Sequence, residues 1–232
     1  MVDSHTHILP FVDDGADSLE ESYRMIEEAV AGGINHIILT PHVLRAGIPR
    51  LTKEQYIEKF NAFKEDINKK HSISLYLGQE ISYHPQVIKY LYNKQLLTMN
   101  FTSYILLELP FYKTDINYDE LFYSCSIMNY KVIIAHIERY DYLSYSDILK
   151  LKKYPVLLQV NSNAITGEAG QKQKKLSHRL FKDELIDLVG SDIHSYRKND
   201  LGEAYKIISS HFSLNTANKI FYDNPHKIFE ID

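Results

Sequence analysis

The chain has 232 residues, a formal net charge of −4 from 26 Lys and Arg against 30 Asp and Glu, and 44% hydrophobic residues. That length can bury a core of its own, and the acidic balance argues against a general nucleic-acid or membrane-surface binder. No apolar run is long enough to span a bilayer, no signal peptide precedes the charged start, and the single Cys125 can form no internal disulfide. We therefore expect one domain, residues 1–232, in the reducing cytoplasm and without membrane insertion.

Apolar, β-rich runs occur at Val2–His7, His36–Thr40, Ser74–Gly78, Ser103–Leu107, Lys131–Ala135, Pro155–Val160 and Leu188–Gly190, and segments of helical periodicity separate them. After the first run, Ser18 and Glu21 form a capping-box pattern, Leu19, Tyr23, Ile26 and Val30 recur at helical spacing, and Gly32-Gly33 ends the helix. Thr52 and Gln55 open the second helix, with Tyr56, Phe60, Phe63 and Ile67 as its apolar stripe. The third is expected over Gln86–Lys94, with Pro85 at its first position. A fourth begins near Asn117, a fifth covers Tyr145–Lys153 and a sixth Gln171–Asp187. The tail adds Leu201–His211 and Leu214–Phe221 before a Pro-containing stop at Asp223-Asn224-Pro225. Strand alternating with helix implies a parallel sheet covered by helices, either open and doubly wound or closed into a barrel.

In both architectures the site lies at the carboxyl ends of the strands. Those ends carry His5 and His7, then His42, Glu80, Glu108, His136, Asn161, and finally Asp192 with His194. Six of the seven thus end in a His or a carboxylate. An open sheet gathers ligands near its switch point, whereas contributions from all around require a ring, so a barrel is expected. His5 and His7, two apart on a strand, face the same way and can grip one cation, and Asp14 follows a Pro-containing turn that can fold back over them. Imidazole and carboxylate without thiolate suit Mn, Fe or Zn, and nine candidate side chains are too many for one ion. A carboxylate such as Glu80 can bridge two ions, an arrangement that hydrolyses phosphate esters. Arg139 and Arg197, three residues beyond His136 and His194, sit where guanidinium forks can take phosphoryl oxygens.

Asp3-Ser4-His5-Thr6-His7 with Asp13-Asp14-Gly15, Thr40-Pro41-His42, Gly78-Gln79-Glu80-Ile81, Ala135-His136-Ile137-Glu138-Arg139-Tyr140, Ser191-Asp192-Ile193-His194 and Asp223-Asn224-Pro225 carry a resemblance. Through them the whole chain resembles the polymerase-and-histidinol-phosphatase (PHP) superfamily, and within it is similar to the bacterial manganese-dependent tyrosine-protein phosphatases of capsule and exopolysaccharide operons. The resemblance implies a distorted, TIM-like (βα)7 barrel with three metal ions, Mn before Fe or Zn. It implies His5, His7, Glu80 and Asp192 on the first ion, Glu80, Glu108 and His136 on the second, and Asp14, His42 and His194 on the third. Arg139 and Arg197 would bind the phosphate. Asp14 and Glu108 stand where other branches often use His, which favours the tyrosine-phosphatase branch. The implied partner is the phosphotyrosine tail of a membrane-associated tyrosine autokinase that governs polysaccharide export; assembly into a homo-oligomer is left open.

Direct hydrolysis is the expected mechanism, with no phosphoenzyme and with a phenolate leaving group whose conjugate acid has a pKa near 10. A cysteine phosphatase is excluded, since Cys-x5-Arg needs arginine at 131 and the residue is Lys131. Two other readings share the metals. A small-molecule phosphomonoesterase of the histidinol-phosphatase type needs an enclosing lid, which the short crossovers do not supply. A non-catalytic metal-binding module would show missing ligands, and none is missing.

Overall fold

A computed structural model describes residues 1–231. Nine strands, all paired in parallel, form two sheets with the orders β1-β2-β4 and β3-β5-β6-β7-β8-β9. The first sheet comprises β1 (Val2–Thr6), β2 (His36–Leu39) and β4 (Ser74–Leu77). The second comprises β3 (His42–Val43), β5 (Glu80–Ser82), β6 (Tyr104–Glu108), β7 (Lys131–Ile134), β8 (Val156–Asn161) and β9 (Leu188–Gly190). Only Thr40-Pro41 separates β2 from β3, and only Gly78-Gln79 separates β4 from β5, so the chain steps twice from one sheet into the other. Pro41 has no N–H to give the ladder, and the Glu80 N–H reaches back to the carbonyls of both Thr40 (3.3 Å) and Pro41 (3.1 Å) across the break. At the other edge, residues just beyond β9 pair with β1: the His7 N–H donates to Ile193 O (3.1 Å) and the Asp192 N–H to His5 O (2.8 Å). The result is a mixed α/β fold around a curled parallel sheet.

Alternation along the strands divides the interior. Ile38, Leu106, Ile133 and Leu188 face inward and form a buried cluster with Val2, Met99, Phe229 and Ile231. One or two positions further along the same faces stand His42, Glu108 and Asp192, so each inward row is apolar at its base and polar at its carboxyl end. The opposite rows, Ile37 and Leu39, Ile105 and Leu107, Val132 and Ile134, join the larger core beneath the helices.

The first two helices follow their sequence signals. Ser18 accepts the Glu21 N–H at the start of α1 (Leu19–Ala31), and Thr52 with Gln55 makes a reciprocal capping box on α2 (Lys53–Asn68). The Glu21 carboxylate, however, reaches the Asp17 N–H (2.7 Å), so only half of that box forms. Pro85 lies outside α3 (Val87–Tyr92), which is shorter than expected. Asn117 caps α4 (Tyr118–Ile127), where Cys125 is buried, and Ser144 caps α5 (Tyr145–Leu151). Sequence periodicity missed α6 (Ser162–Thr166), one turn held after β8. The helix expected to reach Asp187 stops early, as α7 (Gln171–Lys182), because Glu184 takes a left-handed φ of 53°. After α8 (Leu201–His211) and α9 (Leu214–Asn218), the stop expected at Asp223-Asn224-Pro225 does not occur: a π turn at Lys219–Asp223 runs directly into α10 (Asn224–Phe229). Pro225 sits in the first turn of that helix, where a missing N–H costs no hydrogen bond. Among the described residues no helix is long and apolar enough to cross a membrane.

Gly202 brings α8 against the end of α1, where a Cβ would lie 2.4 Å from the Gly32 carbonyl oxygen. Alanine would gain helix propensity of about 0.5–1 kcal/mol, less than the roughly 1–3 kcal/mol of an overpacked contact. Gly202→Ala should therefore be destabilised by about 1–2 kcal/mol in urea unfolding. An unchanged midpoint would show that the two helices part freely.

Candidate metal centre

β1 sets the arrangement. His5 and His7 are fully buried, and their Nε2 atoms lie 3.1 Å apart. Glu80, fully buried at the start of β5, approaches both through Oε2 at 3.2 and 3.3 Å, and the same oxygen is 2.9 Å from His42 Nδ1. Its other oxygen, Oε1, is 2.7 Å from His136 Nε2. Glu108 Oε1 is 3.6 Å from that nitrogen. Asp192 Oδ1 lies 3.4 Å from His7 Nε2 and 3.6 Å from His194 Nδ1, and Asp14 Oδ1 lies 3.6 Å from His42 Nε2 and 3.7 Å from His194 Nε2. All nine expected side chains thus meet in one cluster centred on Glu80.

Their atoms converge in three groups: His5, His7, Glu80 and Asp192; His7, Asp14, His42 and His194; and His42, Glu80 and Glu108. The first matches the expected set. In the second His7 is an additional member. In the third His42 stands with the two glutamates, and His136 reaches those glutamates from beside the group. His136 (φ 31°), beyond β7, is left-handed and out of step with the inward row of its strand, so its turn brings the ring into the cluster; Asp192 (φ 51°), beyond β9, is left-handed as well.

Partners outside the nine orient the imidazoles. Asp13 Oδ2 accepts from His7 Nδ1 (2.8 Å) and from the His42 N–H (2.9 Å), while its Oδ1 accepts from the Gly15 N–H (3.0 Å). Gln159 donates to Ser4 Oγ, which leaves its Oε1 to accept from His5 Nδ1 (3.1 Å). These bonds hold a proton on Nδ1 and aim Nε2 of both histidines at the cluster. Asn161 donates to Asp192 Oδ2 (2.8 Å), and Ser82 to Glu108 Oε2 (2.6 Å). Backbone approach is equally tight: a Cβ on Gly15 would lie 2.0 Å from His7 O, and one on Gly190 2.5 Å from His5 Cβ. Sequence reasoning assigned no role to Asp13, Ser82, Gln159 or Asn161. The available signal was strand parity, since Gln159 and Asn161 share the inward face of β8.

The electrostatics fit a site built for cations. Glu108 Oε1 and His136 Nδ1 are buried without a hydrogen-bond partner, and His42 Nδ1 and Glu80 Oε2, though 2.9 Å apart, are not aligned into a hydrogen bond. Burial, then the neighbouring Glu80 charge, pushes the Glu108 carboxyl up to about 7, and burial pulls His136 down to about 4. Burial is the largest single influence on Glu80 and Asp192 and opposes their ionisation, yet the surrounding imidazoles, His5 first, together with His42 and His136 at Glu80 and with His7, His194 and His136 at Asp192, outweigh it and hold both well below the usual carboxylate range. Unpartnered N and O donors converging on shared points are what hard or borderline divalent ions require.

Three guanidiniums stand at the rim. Arg139 Nη1 (2.9 Å) and Arg197 Nη1 (3.0 Å) both donate to Asp192 Oδ2. Arg139 therefore does not pair with its neighbours: Glu138 is buried and accepts the Asn161 N–H (3.1 Å), and Asp141 pairs with Lys172. Arg45, which sequence reasoning passed over, donates to His42 and approaches Asp14 (3.4 Å) and Glu108 (3.8 Å).

Outer partners of ligating histidines are typically worth 10- to 100-fold in metal affinity. Asp13→Ala should therefore weaken Mn binding to chelator-stripped protein by about that factor in a calorimetric titration, with the far-UV circular dichroism unchanged. Wild-type affinity in the variant would mean that His7 needs no orienting carboxylate.

Comparison with known proteins places the chain. A family model for capsular polysaccharide synthesis proteins, CpsB/CapC, matches residues 1–230. The chain is 33% identical over 227 residues to the tyrosine-protein phosphatase YwqE of Bacillus subtilis, covering 91% of this chain and 85% of that one. It is 29% identical over 243 residues to the tyrosine-protein phosphatase CpsB of Streptococcus agalactiae, covering 99% and 98%. Among solved structures it superimposes, with a TM-score of 0.93 and 30% identity, on a chain from the crystal structures of YwqE from Bacillus subtilis and CpsB from Streptococcus pneumoniae, unique metal-dependent tyrosine phosphatases. That match covers all of this chain and 95% of the other. With the family model spanning nearly its full length, the chain belongs to the CpsB/CapC family of capsular polysaccharide synthesis proteins.

Proposed function

We propose that the cluster is the active centre of a metal-dependent protein-tyrosine phosphatase. The observation that carries the reading is the convergence of eight His, Asp and Glu side chains around a ninth, Glu80, with two guanidiniums meeting at Asp192 on the rim. His5, His7, Glu80 and Asp192 would hold one ion, Glu80, Glu108 and His136 a second, and Asp14, His42 and His194 a third, with Mn preferred and Fe or Zn as the alternatives. His7 and His42 lie close enough to a second group each to be shared.

When bound, divalent ions supply Lewis acidity toward a phosphoryl oxygen and toward water. The chain's own residues do the rest. Arg139 and Arg197 bind the phosphoryl oxygens and stabilise the charge that builds on them. Glu80 spans two groups and sets their separation, while Asp13 and Gln159 keep Nδ1 protonated on His7 and His5, so that Nε2 remains a donor of electrons. A tyrosine phenolate leaves without a dedicated acid. Full burial of all but Asp14 among the nine keeps bulk water from the donors.

The relatives' names support phosphotyrosine as the substrate and capsule synthesis as the setting. We extend this to the phosphotyrosine tail of a membrane-associated tyrosine autokinase, in the cytoplasm, and to control of capsular or exopolysaccharide synthesis. We also read β2 with β3 and β4 with β5 as single interrupted strands. Counted so, seven βα units form one distorted TIM-like barrel, a single domain over residues 1–232.

Chelator-stripped protein given Mn should hydrolyse a phosphotyrosine peptide, with little turnover of histidinol phosphate; the reverse preference would favour the small-molecule reading. Replacing a direct ligand should exceed the 10- to 100-fold cost of losing an outer partner, so His136→Ala should lower kcat by at least about 100-fold while remaining folded. Activity retained in that variant would remove His136 from the site.

A further inference from the structure

Each phosphate-binding guanidinium has an aromatic ring beside it at the surface. Phe111, on the loop after β6, has its ring centroid 4.7 Å from Arg139 Cζ and 5.9 Å from the His136 ring, lying nearly parallel to the imidazole at 20°. Tyr196, beyond β9, has its centroid 5.2 Å from Arg197 Cζ and 5.4 Å from the His194 ring. Both rings are open to water, at 37% and 69% exposure, whereas Phe122, Phe181, Phe221 and Phe229 are buried. Phe11, Tyr92, Phe101, Tyr112 and Tyr123 are exposed as well; what sets Phe111 and Tyr196 apart is that each lies against a guanidinium and an imidazole of the cluster, where exposed apolar surface commonly marks a binding site.

Their placement gives them a shape to bind. Arg139 and Arg197 donate to the same oxygen of Asp192, so the guanidiniums lie within two hydrogen-bond lengths of each other and form a paired floor. The rings come from loops of β6 and β9, which β7 and β8 separate in the sheet, so they approach that floor from two sides. A phosphate dianion resting on the floor directs whatever it esterifies outward between the rings. A phenyl group there has aromatic neighbours, whereas the methylene of a phosphoserine leaves the space between them unfilled.

We infer that Phe111 and Tyr196 are the substrate's ring-binding jaws, which make this site selective for aryl over alkyl phosphates. The inference rests on the phosphatase reading and deepens it. Ring-to-ring contacts of ordinary strength contribute roughly 2- to 10-fold each in binding. The ring pair acts on the ester's organic part alone, and inorganic phosphate, which has none, should not sense it.

The test uses Mn-loaded protein, a phosphotyrosine peptide as substrate and inorganic phosphate as competitive inhibitor. The double variant Phe111→Leu/Tyr196→Leu keeps apolar bulk and removes both rings. Its KM for the peptide should rise about 10-fold, with kcat changed less than about 2-fold and inhibition by phosphate unchanged within the same margin. Phe111→Tyr/Tyr196→Phe, which keeps both rings, should retain the wild-type KM. An unchanged KM in the leucine variant overturns the inference, as does an equal weakening of phosphate inhibition, which would mean that the guanidinium floor itself had been disturbed. Failure of the wild-type protein to hydrolyse the peptide at all would overturn the phosphatase reading first, before any variant is made.

Discussion

The fold is built around one electrostatic constraint: a fully buried carboxylate, Glu80, in contact with His5, His7, His42 and His136. An isolated carboxylate in such a place would protonate rather than remain charged, because burial of an unpaired ion costs several kcal/mol. The surrounding imidazoles hold it ionised, but Asp192 and Glu108 crowd the same space and draw on the same positive charge. Glu108 shows the consequence, with its carboxyl pushed up to about 7 beside its ionised neighbour. The remaining polar atoms are arranged to keep this concentration of acid in one geometry. Asp13, Ser82, Gln159 and Asn161 each fix a ring or a carboxylate that would otherwise rotate away from its like-charged neighbours.

The scaffold tolerates the cluster because strand alternation separates it from the core. The inward rows begin with Ile38, Leu106, Ile133 and Leu188 and end in the polar side chains, with Phe229 and Ile231 contributing to the apolar layer at the base. Some of the chain's local strain falls at the same end. His136 and Asp192 hold left-handed backbones, each costing on the order of 1 kcal/mol, and Gly15 and Gly190 sit where any side chain would strike β1. Such features persist only where the surrounding packing over-determines them, and the layer beneath supplies that packing.

Much of this was legible in the amino-acid order, and the limits have physical reasons. All seven expected strands occur within a residue or so of their expected ends, because a β run buried on both faces is written as continuous apolar residues. Ser18 and Thr52 announced their helices through capping chemistry, which is local. The two-residue β3 and three-residue β5 left no periodicity to read, since their existence depends on where Pro41 and Gly78-Gln79 break the ladder. Pro225 was misread because proline stops a helix from within yet starts one equally well, and only the preceding π turn decides between the two. The histidines and carboxylates stood at strand ends and were visible as a set. Gln159 was not, because an amide is an ordinary residue until its partner on another strand is known, and Asn161 was seen at its strand end without its bond to Asp192.

β1 and the residue that follows it supply His5 and His7, two of the nine converging side chains, and its neighbours lie far apart in the chain. It pairs with β2 on one side, while on the other Ser4 Oγ donates to Val189 O, and Asp3 accepts the Ser191 N–H and the Asn199 amide across 188 and 196 residues. Contacts of that separation form late, because the intervening chain must be ordered before they return any energy. β1 therefore waits for some 185 further residues before it acquires its second edge. Until then His5 and His7 lack Gln159 and Asp192, so the cluster closes only as the last long-range pairings form.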